Sequence, residues 1–196
     1  MKKESDLKRA GDVLIIVDMI NGFVKEGALV DKNIAGIIPE IERLAAEYLA
    51  NGDKVIAFKD CHTLGSPELK TFPPHCIAGT KEVELVPELK KYEKEFIVFE
   101  KNSTSGFVVP AFFEYIQKMN NSTKVVITGC CSDICIMNLA IPLKNFFNQI
   151  NKNVEIIVPE NAVDTYNIPE LHDRDEWNNM AFKFMRQAGI QVVNKL

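Results

Sequence analysis

The chain has 196 residues, 46% of them hydrophobic, with a formal net charge of -4. This length fits one compact domain with a sizeable core, and a small acidic excess without a long basic run argues against nucleic acid as a partner. The opening residues are charged and lack an apolar stretch, and no later segment has the uninterrupted apolar length of a membrane span, so a soluble cytoplasmic protein is expected, with residues 1–11 as a charged N-terminal segment and residues 12–196 as the domain.

The first apolar run, residues 13–17, predicts a strand ending at Asp18. Ile34, Ile37, Ile38, Ile41, Leu44, Ala45, Tyr48 and Leu49 then recur at helical spacing, closed by Asn51-Gly52. A strand over residues 54–58 leads into a long connection, about residues 60–89, that contains Pro67, Pro73, Pro74 and Pro87 and is too irregular for a crossover helix. Further strands are predicted over residues 96–100, 124–128, 154–158 and 191–193, with helices over 111–119 and 133–148; Pro142 should kink or interrupt the latter. The last helix has Asp173 as N-cap, an apolar stripe of Trp177, Ala181, Phe184 and Ala188, and Gly189 at its end. Val- and Ile-rich runs alternating with amphipathic helices predict an α/β fold: a three-layer α/β/α sandwich around a parallel sheet of six strands. Five cysteines, none in a CxxC pair, point to reduced thiols rather than a disulfide framework or zinc ribbon.

In open α/β sheets ligands bind beyond the carboxyl ends of the strands. The residues at those ends are Asp18, Asp60 with His62, Lys101, and the Gly129 to Cys135 turn. In Thr128-Gly129-Cys130-Cys131-Ser132-Asp133-Ile134-Cys135 a strand ends at Gly129, Ser132 can serve as N-cap, and Cys135 falls in the first helical turn, where the helix dipole and unpaired N–H groups lower a thiol pKa and can receive an oxyanion. Cys130 and Cys131 read as structural side chains. Asp18 is a candidate general base, with a turn or capping role as the alternative beside Asn21-Gly22. Lys101 would hold both thiolate and carboxylate ionised, the alternative being a solvated surface lysine.

Asp60-Cys61-His62 places two ligand-type side chains on one face of an extended segment, and His75 and Glu68 follow in the long loop. Two imidazoles with one or two carboxylates suit zinc, with iron and manganese as alternatives, and leave positions open for water or substrate. Glu68 is either a ligand, a group bonded behind the ligands, or a solvated loop residue. His172 reads as a surface or capping residue.

Val17 to Phe23, Asp60-Cys61-His62, Pro67-Glu68, Phe72 to Thr80, Lys101 and Thr128 to Cys135, in this order, resemble the nicotinamidase group of the isochorismatase-like cysteine hydrolases. The resemblance implies a six-stranded parallel sheet, a triad of Asp18, Lys101 and Cys135, and a cis peptide between Cys130 and Cys131 that aims the backbone N–H groups of Cys131 and Cys135 at an oxyanion. It further implies a divalent metal on Asp60, His62, His75 and Glu68, and a pyridine ring between Phe23 and Phe72, for which core packing is the alternative. Residues 102–107 supply no further ring-contacting aromatic. The expected activity is hydrolysis of nicotinamide, and of pyrazinamide, to the acid and ammonia through a Cys135 thioester. The rivals are a related hydrolase of another small amide, carbamoyl compound or vinyl ether, and a non-catalytic flavodoxin-like binding module. The partner expected is a small-molecule amide, and apolar helix faces would permit a homo-oligomer.

Overall fold

A computed structural model describes residues 11–120 and 123–196. The charged segment 1–11 predicted ahead of the domain lies outside the described residues apart from Gly11. Strand β1 (Val13–Val17) is followed by the single turn α1 (Asn21–Val24) and by α2 (Ile38–Ala50); β2 (Lys54–Asp60) leads into the irregular connection, which holds only short turns and α3 (Pro87–Lys90). Then come β3 (Ile97–Lys101), α4 (Pro110–Gln117), β4 (Lys124–Cys130), a π-helical turn (Ser132–Ile136) continuous with α5 (Met137–Gln149), β5 (Glu155–Pro159), the two-residue β6 (Val163–Asp164), α6 (Arg174–Gln187) and β7 (Gln191–Val193).

The strands form one parallel sheet in the order β3-β2-β1-β4-β5-β7, and β6 pairs with the end of β4. The six expected strands are present; the seventh, β6, is too short to carry a hydrophobic run. Every residue of β1 is buried. Its side chains alternate: Leu14 and Ile16 join the layer holding α2, whereas Val13, Ile15 and Val17 join the layer holding α4, α5 and α6. The two faces of the sheet are therefore covered by separate apolar layers, which explains why the strands read as continuous Val/Ile runs. Strand order reverses direction on either side of β1, so the carboxyl ends of β1 and β4 flank the crevice where open α/β sheets bind ligands.

Two expectations about the helices change. Pro142 lies inside α5, yet the helix runs unbroken. Proline cannot bond the carbonyl four residues back, that of Asn138, and the Ser105 hydroxyl donates to that oxygen at 2.8 Å instead. In α6 the buried stripe is Ala181, Phe182 and Met185, while Trp177 and Phe184 are 39% and 50% exposed. The predicted stripe was displaced around the helix axis because Asp173, bonded to Glu176 N, sets the helix start while neighbouring layers choose the buried face. No helix among the described residues is long and apolar enough to cross a membrane.

Candidate active site

The apolar strands deliver their polar termini to one place. β2 and β3 pair in register so that Asp60 lies beside Lys101. Asp18, with φ +55°, turns off the end of β1; its N–H donates to the Phe58 carbonyl at 3.0 Å and its Oδ1 accepts from the Asp60 N–H at 2.9 Å. Lys101 Nζ lies 2.8 Å from Asp18 Oδ2, donates to Asp60 Oδ1 at 2.9 Å and reaches Cys135 Sγ at 3.6 Å. Oδ2 of Asp18, although in charge contact with Lys101, has no hydrogen-bond donor at acceptable angles. All four side chains are buried, and a buried lysine between two carboxylates is far from the solvated alternative.

This geometry divides the protonation states. Burial raises the Asp18 carboxyl to about 6, opposed by Lys101 and assisted by the Asp60 charge. Burial pushes Asp60 the same way, but Lys101 and the two imidazoles overcome it and hold Asp60 well below the usual carboxylate range. Burial alone would lower Lys101; Asp18, Cys135 and Asp60 together keep it raised and charged. Burial drives the Cys135 thiol upward, with Lys101 pulling back. At the sulfur, burial therefore opposes the lowering expected from Lys101 and the helix terminus.

The turn bearing Cys135 is shaped by contacts that a sequence does not display. At Gly129, φ +113°, a Cβ would sit 2.0 Å from the Val17 carbonyl oxygen, so only glycine lets β4 pass this close to β1. The Cys130-Cys131 peptide is cis. The following turn is π-helical, with Ile136 N donating to Cys131 O at 3.0 Å. Ser132, expected to cap the helix, instead donates its hydroxyl to Asn178 Oδ1 at 2.5 Å, and Cys131 occupies the cap position without a side-chain bond.

Beside the lysine, Asp60, His62, Glu68 and His75 bring one donor atom each to within 4.8 Å of one another. His62 Nε2 lies 3.1 Å from Asp60 Oδ2 and 3.7 Å from Glu68 Oε1, and His75 Nε2 lies 3.4 Å from Asp60 Oδ2. His62 Nε2 and Glu68 Oε1 are buried without a hydrogen-bond partner. The outer nitrogens are engaged: His62 Nδ1 with Asn102 Oδ1 at 3.1 Å and His75 Nδ1 with the Pro73 carbonyl at 2.8 Å. Both acceptors favour a hydrogen on Nδ1, leaving both Nε2 lone pairs facing inward, which is the arrangement of ligating histidines. Glu68 Oε2 accepts from the Thr104 N–H at 3.0 Å, so its other oxygen is aimed at the same point. Donor atoms converging from two imidazoles and two carboxylates, with His62 Nε2 and Glu68 Oε1 buried and unpartnered, fit a divalent zinc, iron or manganese ion. The order of the motifs did not foretell Asn102 or Thr104, whose polar groups act from a loop considered only for a ring-contacting aromatic.

The cluster and Cys135 open onto one cavity of about 390 Å³. Phe23 and Phe72 line it next to His75, their ring centroids 5.8 and 6.1 Å from that imidazole. Tyr166 and Ile134 also line it, and neither was singled out by sequence. His172, expected as a surface or capping residue, is 5% exposed; its ring stacks on Tyr166 and Trp177, and its Nε2 meets Asp133 Oδ2 at 2.9 Å. The 164–173 segment folds back over the Ser132–Ile136 turn, a tertiary return that no local pattern encodes.

The sequence matches the Isochorismatase domain over residues 12–195. The chain belongs to the isochorismatase family. Among relatives, this family member is 27% identical to Nicotinamidase 1 of Arabidopsis thaliana over 93% of the chain and 85% of that protein. It is 32% identical to PncA of Bacillus subtilis strain 168, described as an uncharacterized isochorismatase family protein, over 79% of the chain and 86% of that protein. The solved pyrazinamidase/nicotinamidase of Streptococcus mutans UA159 superposes with a TM-score of 0.77 at 25% identity, covering 93% of the chain and all of that structure, 100%. The expected fold is thereby matched by an experimental structure.

Proposed function

We propose that this isochorismatase-family protein is a metal-dependent nicotinamidase that hydrolyses nicotinamide, and pyrazinamide, to the carboxylic acid and ammonia. The observation that carries the reading is Lys101, whose ammonium touches Asp18, Asp60 and Cys135 and so joins an acid–thiol pair to a metal-type donor cluster on one cavity. The names of the Arabidopsis and Streptococcus relatives support the same substrate class.

Asp60, His62, His75 and Glu68 would hold the ion, which would supply a Lewis-acid site for the lone pair of a ring nitrogen. Phe23 and Phe72 bound the ring between apolar walls. Asp18, with a carboxyl poised at about 6, takes the Cys135 proton as sulfur attacks the carboxamide carbon. The backbone N–H groups of Cys131 and Cys135 stabilise the oxyanion, and Lys101 opposes the negative charge held by Asp18 and the sulfur. Ammonia departs with the proton returned by Asp18, leaving a thioester. Asp18 then takes a proton from water as its oxygen adds to the thioester, releasing the acid and restoring the thiol.

The test is ammonia release from nicotinamide by metal-replete protein, before and after chelation. The reading requires activity that a chelator removes and added metal restores. Metal-replete protein that releases no ammonia from nicotinamide or pyrazinamide would favour a hydrolase of another small amide, carbamoyl compound or vinyl ether.

A further inference from the structure

The triad and the donor cluster use the ends of β1 to β4, yet a second set of buried and half-buried polar side chains, absent from that mechanism, contacts the turn that bears Cys135. Asp133 stands two residues before Cys135. Its Oδ1 accepts from the Thr165 hydroxyl at 2.5 Å and its Oδ2 meets His172 Nε2 at 2.9 Å. His172 Nδ1 faces the Tyr166 carbonyl at 2.9 Å, and the imidazole lies between the Tyr166 and Trp177 rings at 3.9 and 4.7 Å, nearly parallel to both, at 16° and 9°. Ser132 bonds Asn178, whose amide donates to Asp164 Oδ1 at 3.0 Å; the Arg174 guanidinium grips the same carboxylate through Nε and a second nitrogen.

A π-helical turn is less favourable than an α-helical one, and such turns persist where surrounding contacts impose them. Here the two residues that open the turn each carry a side-chain tether to the 164–178 segment, while Cys135 itself carries none to it. We infer that Asp133 and His172 are positioning residues for the nucleophile: through the Thr165, Tyr166 and Trp177 contacts they hold the Ser132–Ile136 turn so that the Cys135 sulfur meets Asp18 and Lys101. Because Tyr166 also lines the cavity, the same clamp joins the cavity wall to the sulfur. This inference rests on the proposed role of Cys135 and does not depend on which amide is the substrate.

The hydrogen-bond pattern supplies a discriminating variant. The Tyr166 carbonyl can only accept, so His172 Nδ1 carries a hydrogen, and the Nε2 contact with Asp133 is closed by a proton between them. In Asp133→Asn the side-chain oxygen still accepts from Thr165, and the amide nitrogen can donate to the Nε2 lone pair, so the clamp keeps its connectivity. Asp133→Ala removes both bonds.

The experiment compares the wild type, Asp133→Ala, Asp133→Asn and Thr165→Val by steady-state kinetics on nicotinamide and by iodoacetamide labelling of Cys135 read by peptide mass. Misplacing a reacting group by about an ångström can cost on the order of a hundredfold, so Asp133→Ala is expected to lose kcat by tenfold to about a hundredfold, with KM changed no more than about threefold because Phe23, Phe72 and the donor cluster lie on other elements. Cys135 labelling should slow in parallel as the sulfur leaves Lys101, Asp133→Asn should restore most of both, and Thr165→Val should fall between. Should Asp133→Ala fail to fold, the Asn and Val variants carry the same ordering. Folded variants with wild-type kcat and unchanged or faster labelling would overturn the inference, as would an Asn variant no better than the Ala or Val variant. A wild type inactive on nicotinamide removes the substrate assignment alone, since the labelling order still decides the clamp.

Discussion

Replacing Lys101 by Met removes the ammonium that faces Asp18, Asp60 and Cys135 while keeping most of the side-chain volume. In the wild type, burial has raised the Asp18 carboxyl from 3.8 to about 6. A group raised on folding contributes stability that is complete below its unfolded pKa and is lost as pH rises through the folded value; that difference corresponds to roughly 3 kcal/mol of stability lost for Asp18 between about pH 4 and 6. Lys101 is the strongest influence holding the Asp18 carboxyl down, so without it the folded pKa climbs further and the loss extends to higher pH. Asp60 adds to the cost, because its carboxylate would keep only the imidazole contacts. Removing one partner of a buried ion pair costs about 3–5 kcal/mol, and the Lys101→Met penalty should stand near that range at pH 8 and be clearly smaller at pH 5. Urea denaturation of metal-free wild type and variant at the two pH values measures this. Equal penalties at pH 5 and pH 8, or a variant as stable as the wild type at pH 8, would refute the electrostatic account of the site.

The acidic limb of kcat/KM on nicotinamide should fall as pH drops through about 6, because protonated Asp18 cannot take the thiol proton; a profile flat between pH 5 and 8 would remove Asp18 as the base. Asn102→Ala, which frees His62 Nδ1, should weaken zinc binding by about 10- to 100-fold in a chelator competition, and unchanged affinity would show that the contact does not orient the ligand. Ser105→Ala exposes the cost of Pro142 by leaving the Asn138 carbonyl without its donor, and should lower unfolding stability by about 1–2 kcal/mol in urea.

The strand runs were legible because each central strand is buried on both faces, and the same burial made the polar residues at their ends conspicuous: Asp18, Asp60 and Lys101 stand where the apolar runs stop. Their convergence followed from parallel topology, and the His62 and His75 donors were legible from residue type within one loop. What the sequence concealed depends on chain returning from afar. Ser105 satisfies the helix across 33 positions, and Asn102 reaches His62 across 40. His172 reads as a surface or capping residue from its place before the last helix, whereas its surroundings come from Asp133 and the Tyr166 and Trp177 rings. The α6 stripe was misread because Trp177 and Phe184 share the helical period with residues that face the sheet. The helix terminus and Lys101 are visible in the sequence as influences on the thiol, whereas the burial that opposes them arises only in the closed fold.

The account turns on Cys135 as the attacking group. Ammonia release from nicotinamide by metal-loaded Cys135→Ala, set beside metal-loaded wild type and with bound metal measured in both samples, tests it most directly. The account predicts that turnover is abolished while bound metal stays at the wild-type level, because Asp60, His62, Glu68 and His75 are untouched by the substitution. Substantial turnover by a metal-replete Cys135→Ala protein would contradict it.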